Sequence, residues 1–192
     1  MKYYLPAALL LMASSCQFLS SNDAQTSSVN TETTKQELRE RGAYLVAITG
    51  CGDCHTPKKM TPQGPAPDMD RFLSGYDSRR ELGSFDTVMA RSGKWIQFNG
   101  ELTAAAGPWG VSFAANLTPD ATGLGNWTLD NFKKAMRDGK YKGIDASRPL
   151  LPPMPWQNFR NMSDKDLEAI FEYLKSIRPV NNLIPAAIPP AV

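Results

Sequence analysis

Cys51-Gly52-Asp53-Cys54-His55 is the stretch whose reading decides the fold. Two thiols three positions apart can each add to a vinyl group of one porphyrin, and a histidine directly after them falls beneath the iron. The spacing therefore predicts one haem attached covalently through Cys51 and Cys54, with His55 as an axial ligand. No other histidine exists in the 192 residues. A zinc site needs about four ligands, and outside this pentapeptide the only remaining cysteine is Cys16. A thioredoxin-like dithiol would want a βαβ setting and has no use for the adjacent histidine.

Working outward, the first residues bear on where that chemistry takes place. Lys2 gives a charged start, Leu5 to Met12 is a short apolar run, and Ala13, Ser14 and Ser15 are small residues leading into Cys16. About eight apolar positions are too few to span a bilayer, which takes about twenty, so residues 1–15 read as a secretory signal. The segment resembles a bacterial lipoprotein signal, which implies lipidation of Cys16 and a membrane anchor on the periplasmic side. Ala13 stands where that pattern more often has leucine or valine, and an ordinary signal cleaved nearby is the alternative. Residues 16–34 are mostly Ser, Thr, Asn, Asp and Gln, too polar to form a core, and are expected as a flexible tether. Residues 181–192 are proline-rich without periodicity and are expected as a tail on the surface. Residues 35–180 are one domain by length. The formal net charge of +2 points to neither nucleic acid nor an acidic partner.

Three stretches of the domain carry helical patterning. The first runs from Lys35 to Thr49, with Leu38, Leu45 and Ile48 on one stripe and Gly50 as a stop. In the second, Leu129 to Asp138, Thr128 is the cap, Leu129, Phe132 and Met136 share a face, and Gly139 closes. The third has Ser163 and Asp166 in the manner of a capping box, then Leu167, Ile170, Phe171, Leu174 and Ile177 in helical register, before Pro179. Pro57 to Pro119 is long and rich in turn residues, with Asn99-Gly100 as a hairpin signal inside Lys94–Leu102. So long an irregular span is unusual unless it wraps something.

A helix before Cys-x-x-Cys-His and another near the end resemble a class I cytochrome c. Asn116-Leu117-Thr118-Pro119-Asp120, Thr122-Gly123-Leu124-Gly125-Asn126-Trp127-Thr128 and Pro152-Pro153-Met154-Pro155-Trp156 resemble the monohaem cytochrome c domains that serve as electron-transfer subunits of bacterial dehydrogenases and respiratory chains. The resemblance covers most of residues 40 to 182 and is poor between Met69 and Val111. It implies a mainly all-α fold in which the first and last helices cross behind the haem, interrupted here by a long insertion with a small hairpin.

The sixth iron ligand is a methionine, another weak ligand or an open position, since no second histidine exists. Met136 lies on a core stripe, and Met162 precedes a helix cap. Met60, Met69 and Met89 remain open on sequence alone. Met154, between Pro153 and Pro155, lies in a loop of restricted torsions, and the resemblance places the distal ligand there. With His55 and Met154 on the iron, no substrate binds the metal, and the chain is an electron carrier rather than an enzyme.

Other roles are assigned more broadly. Tyr44, Trp127, Pro153 and Trp156, with Trp109, Phe113 and Phe159, are candidate walls of the haem pocket or general core. Asn116 and Thr118 either bind a haem propionate or build the turn. Pro65 or Pro67 is expected to offer its carbonyl to the second nitrogen of His55. Lys133, Lys134, Arg137, Lys140 and Lys142 form either a docking patch or a solvated helix face, the latter favoured. Three functions follow: a tethered carrier between a dehydrogenase and a respiratory acceptor such as an oxidase or reductase; a haem subunit fixed in an oxidoreductase complex; or a sensor or peroxidase, if the sixth position opens.

Overall fold

The computed structural model describes Met1 and residues 34–190. The expected signal sequence beyond Met1, the lipidated Cys16 and the tether up to residue 33 lie outside the described residues. Six helices and five short strands follow in chain order: α1 (Lys35–Ile48), α2 (Cys51–His55), β1 (Lys58–Thr61), β2 (Gly64–Pro67), α3 (Thr87–Ser92), β3 (Gln97–Phe98), β4 (Ala104–Gly107), β5 (Gly110–Phe113), α4 (Leu129–Asp138), α5 (Trp156–Phe159) and α6 (Asp164–Ser176). The described residues are mainly helical with two small antiparallel sheets, β1-β2 and β3-β4-β5, in keeping with the expected class.

Thr34 belongs to the domain rather than to the tether, because it caps α1. Its hydroxyl accepts from Glu37 N at 3.2 Å, and the Glu37 carboxylate accepts from Thr34 N at 2.7 Å. Leu38, Gly42, Leu45 and Val46 form the buried side of α1. Ile48, expected on that stripe, is 59% exposed; at about 100° per residue it stands about a quarter turn away from the others. Gly42 is where α1 meets α6. A β-carbon there would lie 2.0 Å from the Ala169 carbonyl oxygen, so the two backbones touch with no side chain between.

Helix α4 has the expected bounds and cap, with Thr128 and Asn131 hydrogen-bonded reciprocally and Gly139 at φ 63° after its last turn. At the start of α6 only half of the expected capping box forms. Asp166 N donates to Ser163 Oγ at 3.1 Å, but the Asp166 carboxylate accepts from Arg41 Nε of α1 at 3.0 Å. Aspartate is one methylene shorter than the glutamate that usually reaches back. Leu38, Leu45, Val46, Phe132, Met136, Leu167, Ile170, Phe171 and Leu174 share one buried apolar cluster with Leu73 and Leu124.

The insertion is built differently. Asn99 Oδ1 accepts from Thr103 N at 2.8 Å and Ala104 N at 2.9 Å, which closes the turn at the expected place. The return strand is Ala104–Gly107, later than expected, and β5 continues the sheet after a two-residue connection. The C-terminal stretch is no loose tail. Val111 and Ile188 exchange backbone hydrogen bonds at 2.8 and 3.0 Å, and buried Asn182 donates to the carbonyls of Ser74 and Tyr76 at 2.7 Å each. Prolines cannot extend a ladder, yet the residues between them keep their donors, which periodicity does not reveal. Among the described residues no helix is long and apolar enough to cross a membrane.

Candidate functional site

The site starts from a glycine. Gly50 adopts φ 69°, which ends the run of α1 and lets the single-turn helix α2 begin one residue later. Within one turn, Cys51, Cys54 and His55 stand at i, i+3 and i+4, on one face. Both thiols are free and half-buried. Burial pushes both above the ordinary thiol range, for Cys51 against the pull of a Thr49 hydroxyl 3.4 Å from its sulfur. They are therefore neutral thiols at neutral pH.

His55 Nδ1 lies 2.8 Å from the carbonyl oxygen of Ala115. A carbonyl only accepts, so Nδ1 carries the proton and Nε2 keeps its lone pair for a ligand. Burial, the largest effect, holds the imidazole below its ordinary pKa, although the Ala115 bond works the other way. This partner corrects the expectation of Pro65 or Pro67, which both lie in β2 of the β1-β2 hairpin. Ala115 follows β5, 60 residues along the chain, and no local signal marks it.

Met154 is half-buried and packs against the same apolar cluster as Cys51. Its loop is held from β5, where Ser112 Oγ donates to Pro152 O at 2.6 Å. The methionines left open by the sequence sit elsewhere: Met60 is 81% exposed, Met69 62% and Met89 40%. Met136 is inside the core, and Met162 packs on its edge. The donor set is thus two neutral thiols, one imidazole nitrogen with a free lone pair and one half-buried thioether, and it fits a covalently bound haem.

The expected pocket residues divide. Trp127 packs on the core. Trp156 lies across Gly139, whose absent β-carbon would be 2.3 Å from the indole, so the glycine after α4 seats the segment that follows Met154. Pro153 is exposed. Tyr44 is 55% exposed, with the Arg41 guanidinium 5.6 Å from its ring centroid, and lies off the buried side of α1. Asn116 and Thr118 are buried and build the turn. Asn116 donates to Thr122 Oγ1 at 3.1 Å and to Val180 O at 2.9 Å, and its Oδ1 accepts from Thr118 N and Oγ1. Their polar atoms are hydrogen-bonded within the protein.

The basic segment is less bare than its sequence. Lys133 and Arg137 both pair with Asp164, and Lys134 pairs with Asp145. Asp164 is remote in sequence, whereas Asp145 stands three residues beyond Lys142; folding brings both onto the segment. The sequence also missed Ala115, Ser112 and Asn182, since each acts through a partner at least 40 residues away.

No family model matches this chain. Among curated proteins it is 33% identical over 150 residues to a nicotinate dehydrogenase subunit of Pseudomonas putida, covering 78% of this chain and 9% of that protein. It is 38% identical over 145 residues to the gluconate 2-dehydrogenase cytochrome c subunit of Pantoea cypripedii, covering 74% and 24%. It is 24% identical over 184 residues to the fructose dehydrogenase cytochrome subunit of Gluconobacter japonicus, covering 94% and 30%. The chain spans less than a third of the length of these relatives. The gluconate and fructose relatives are by name cytochrome subunits, which agrees with an electron-transfer role rather than a catalytic one. This chain is thus similar to the cytochrome subunits of bacterial dehydrogenases.

Proposed function

We propose that this chain is an exported electron-transfer domain of the class I cytochrome c type. It holds one haem through thioether bonds at Cys51 and Cys54, with His55 and Met154 as axial ligands. It passes single electrons between a dehydrogenase and a respiratory acceptor, and Cys16 is its lipid anchor. The observation that carries this reading is the proton on His55 Nδ1, fixed by Ala115 O at 2.8 Å beside two free thiols one helical turn apart. The single Cys-x-x-Cys-His in the sequence supports one haem.

When bound, the haem supplies a one-electron couple whose potential a thioether ligand raises. The chain's residues do the rest. Ala115 O orients the imidazole and fixes its tautomer. The apolar cluster packed against Cys51 and Met154 limits water at the iron. The names of the relatives support a dehydrogenase as partner, and within that setting they favour a fixed subunit over a free shuttle.

The test is an absorption spectrum of the oxidised protein made in a host competent for cytochrome maturation. The weak near-infrared band of sulfur-to-iron coordination is expected in the native protein and absent in Met154→Ala. A colourless product overturns the haem assignment. A band that survives in Met154→Ala assigns the distal ligand to another methionine. Carbon monoxide added to the reduced native protein is expected to change the spectrum little; rapid binding would favour the sensor or peroxidase reading.

A further inference from the structure

We propose that Ser112, with Trp109 behind it, is a positioning residue that holds the Met154 loop closed over the iron. The inference rests on the assignment of Met154 as distal ligand. Ser112 is buried in β5, with its hydroxyl 2.6 Å from Pro152 O and 3.2 Å from Trp109 Nε1. An indole N–H only donates and a carbonyl only accepts, so the directions are fixed. Trp109 donates to Ser112 Oγ, and Ser112 donates its one proton to Pro152. Ala105 O, at 3.4 Å, is the more distant acceptor. A hydroxyl polarised by a donor on one side is a stronger donor on the other.

Two features make this arrangement specific. A β-carbon on Gly107 would lie 2.4 Å from the Trp109 ring, so glycine at that position lets the indole fold back over β4 and reach Ser112. The remaining hydrogen bonds of residues 151–155 are local: Met154 N to Leu151 O at 3.3 Å, Trp156 N to Met154 O at 2.9 Å and Asn158 N to Pro155 O at 2.9 Å. The Ser112 bond therefore ties a locally bonded loop to the rest of the fold. Three residues beyond Ser112, Ala115 O holds His55. One short stretch, 112–115, thereby steadies the imidazole on one side and the thioether loop on the other.

A loop tied this way resists any outside ligand that must displace Met154. The experiment titrates imidazole into the oxidised holoprotein and follows loss of the near-infrared band. Ser112→Ala is expected to keep the band without imidazole, yet to bind imidazole about tenfold more tightly, the loss of one buried hydrogen bond. Trp109→Phe removes only the supporting donor and is expected to shift affinity the same way by about threefold. A fall in overall stability alone would move the urea midpoint and leave imidazole affinity unchanged.

Native-like affinity in Ser112→Ala overturns the proposal. Should that variant yield no holoprotein, unchanged affinity in Trp109→Phe overturns it. The underlying assignment fails separately, and visibly, if Met154→Ala retains the band.

Discussion

The helical part of the molecule and the insertion at 57–115 hold together by different means. Helices α1, α4 and α6 begin at local caps, Thr34 with Glu37, Thr128 with Asn131, and Ser163, and they bury apolar residues at helical spacing. The insertion has strands of two to four residues and buries Ala104, Ala105 and Ala106 where a sheet would usually place larger side chains. It is held by polar ties, some made within the insertion and one arriving from Asn182 far along the chain. Thr56 Oγ1 takes Leu73 N at 3.1 Å, Asn182 takes Ser74 and Tyr76, and Asp77 gathers Arg71, Arg79 and Arg80. Leu73 joins the two parts: it belongs to the insertion, is fully buried in the helical core and adopts φ 58°, a conformation costly for leucine. The lesson is that apolar periodicity built the scaffold, while buried polar groups attached the part that bonds His55 and the loop carrying Met154.

The sharpest way to break that comparison is where α1 meets α6. Alanine normally improves a helix over glycine by about 1 kcal/mol. At position 42 it would drive a β-carbon into the Ala169 carbonyl, 2.0 Å away. Gly42→Ala is therefore expected to cost about 3 kcal/mol, at the upper end for overpacking, measured by urea unfolding with an unchanged slope. A neutral or stabilising result would mean that α1 and α6 are not in backbone contact.

The same division explains what could be read from the sequence. The bounds of α4, the cap of α6 and the Cys51–His55 motif were legible because each signal lies within a few residues of what it controls. The Asn99 turn was legible for the same reason. Ala115 as partner of His55 was not, since any backbone carbonyl can serve and only tertiary position selects it. Ile48 was misplaced because a stripe read from three residues leaves its edge undefined, and Val46 takes the buried place. The pairing of Lys133 and Arg137 with Asp164 was missed because only folding brings that acid to the segment, while Asp145, three residues past Lys142, was in view of the sequence.

If polar ties hold the insertion, cutting one should cost nearly as much as the helical overpacking. Asn182 is buried; it donates to two carbonyls and accepts from Ser78 N at 3.3 Å and Ser78 Oγ at 3.0 Å. Asn182→Ala leaves these groups without partners and is expected to cost about 2–3 kcal/mol. Amide exchange should quicken first around residues 74–78, and with it the exposure of His55 O, which accepts from Gly75 N. A loss under about 0.5 kcal/mol would show that the insertion supports itself.

The smallest effect expected comes from acid. Asp77 is 2% exposed, and its carboxylate is held at a pKa of about 2, against an ordinary 3.8, chiefly by the two-pronged Arg79 guanidinium at 2.8 Å on each oxygen. The folded state releases this proton more readily than the unfolded chain. Its stabilising contribution is thus complete above about pH 4 and disappears as pH falls toward 2. At about 1.36 kcal/mol per pKa unit the contribution would be about 2.5 kcal/mol before screening, and it is cut well below that because Arg79 is largely exposed. Acid unfolding of the native protein should therefore be steeper between pH 4 and 2 than that of Asp77→Asn, which has no proton to gain there. Equal slopes would shift the acid sensitivity to surface carboxylates such as Asp164 and Asp145, placing it in the helical part, where polar ties should matter least.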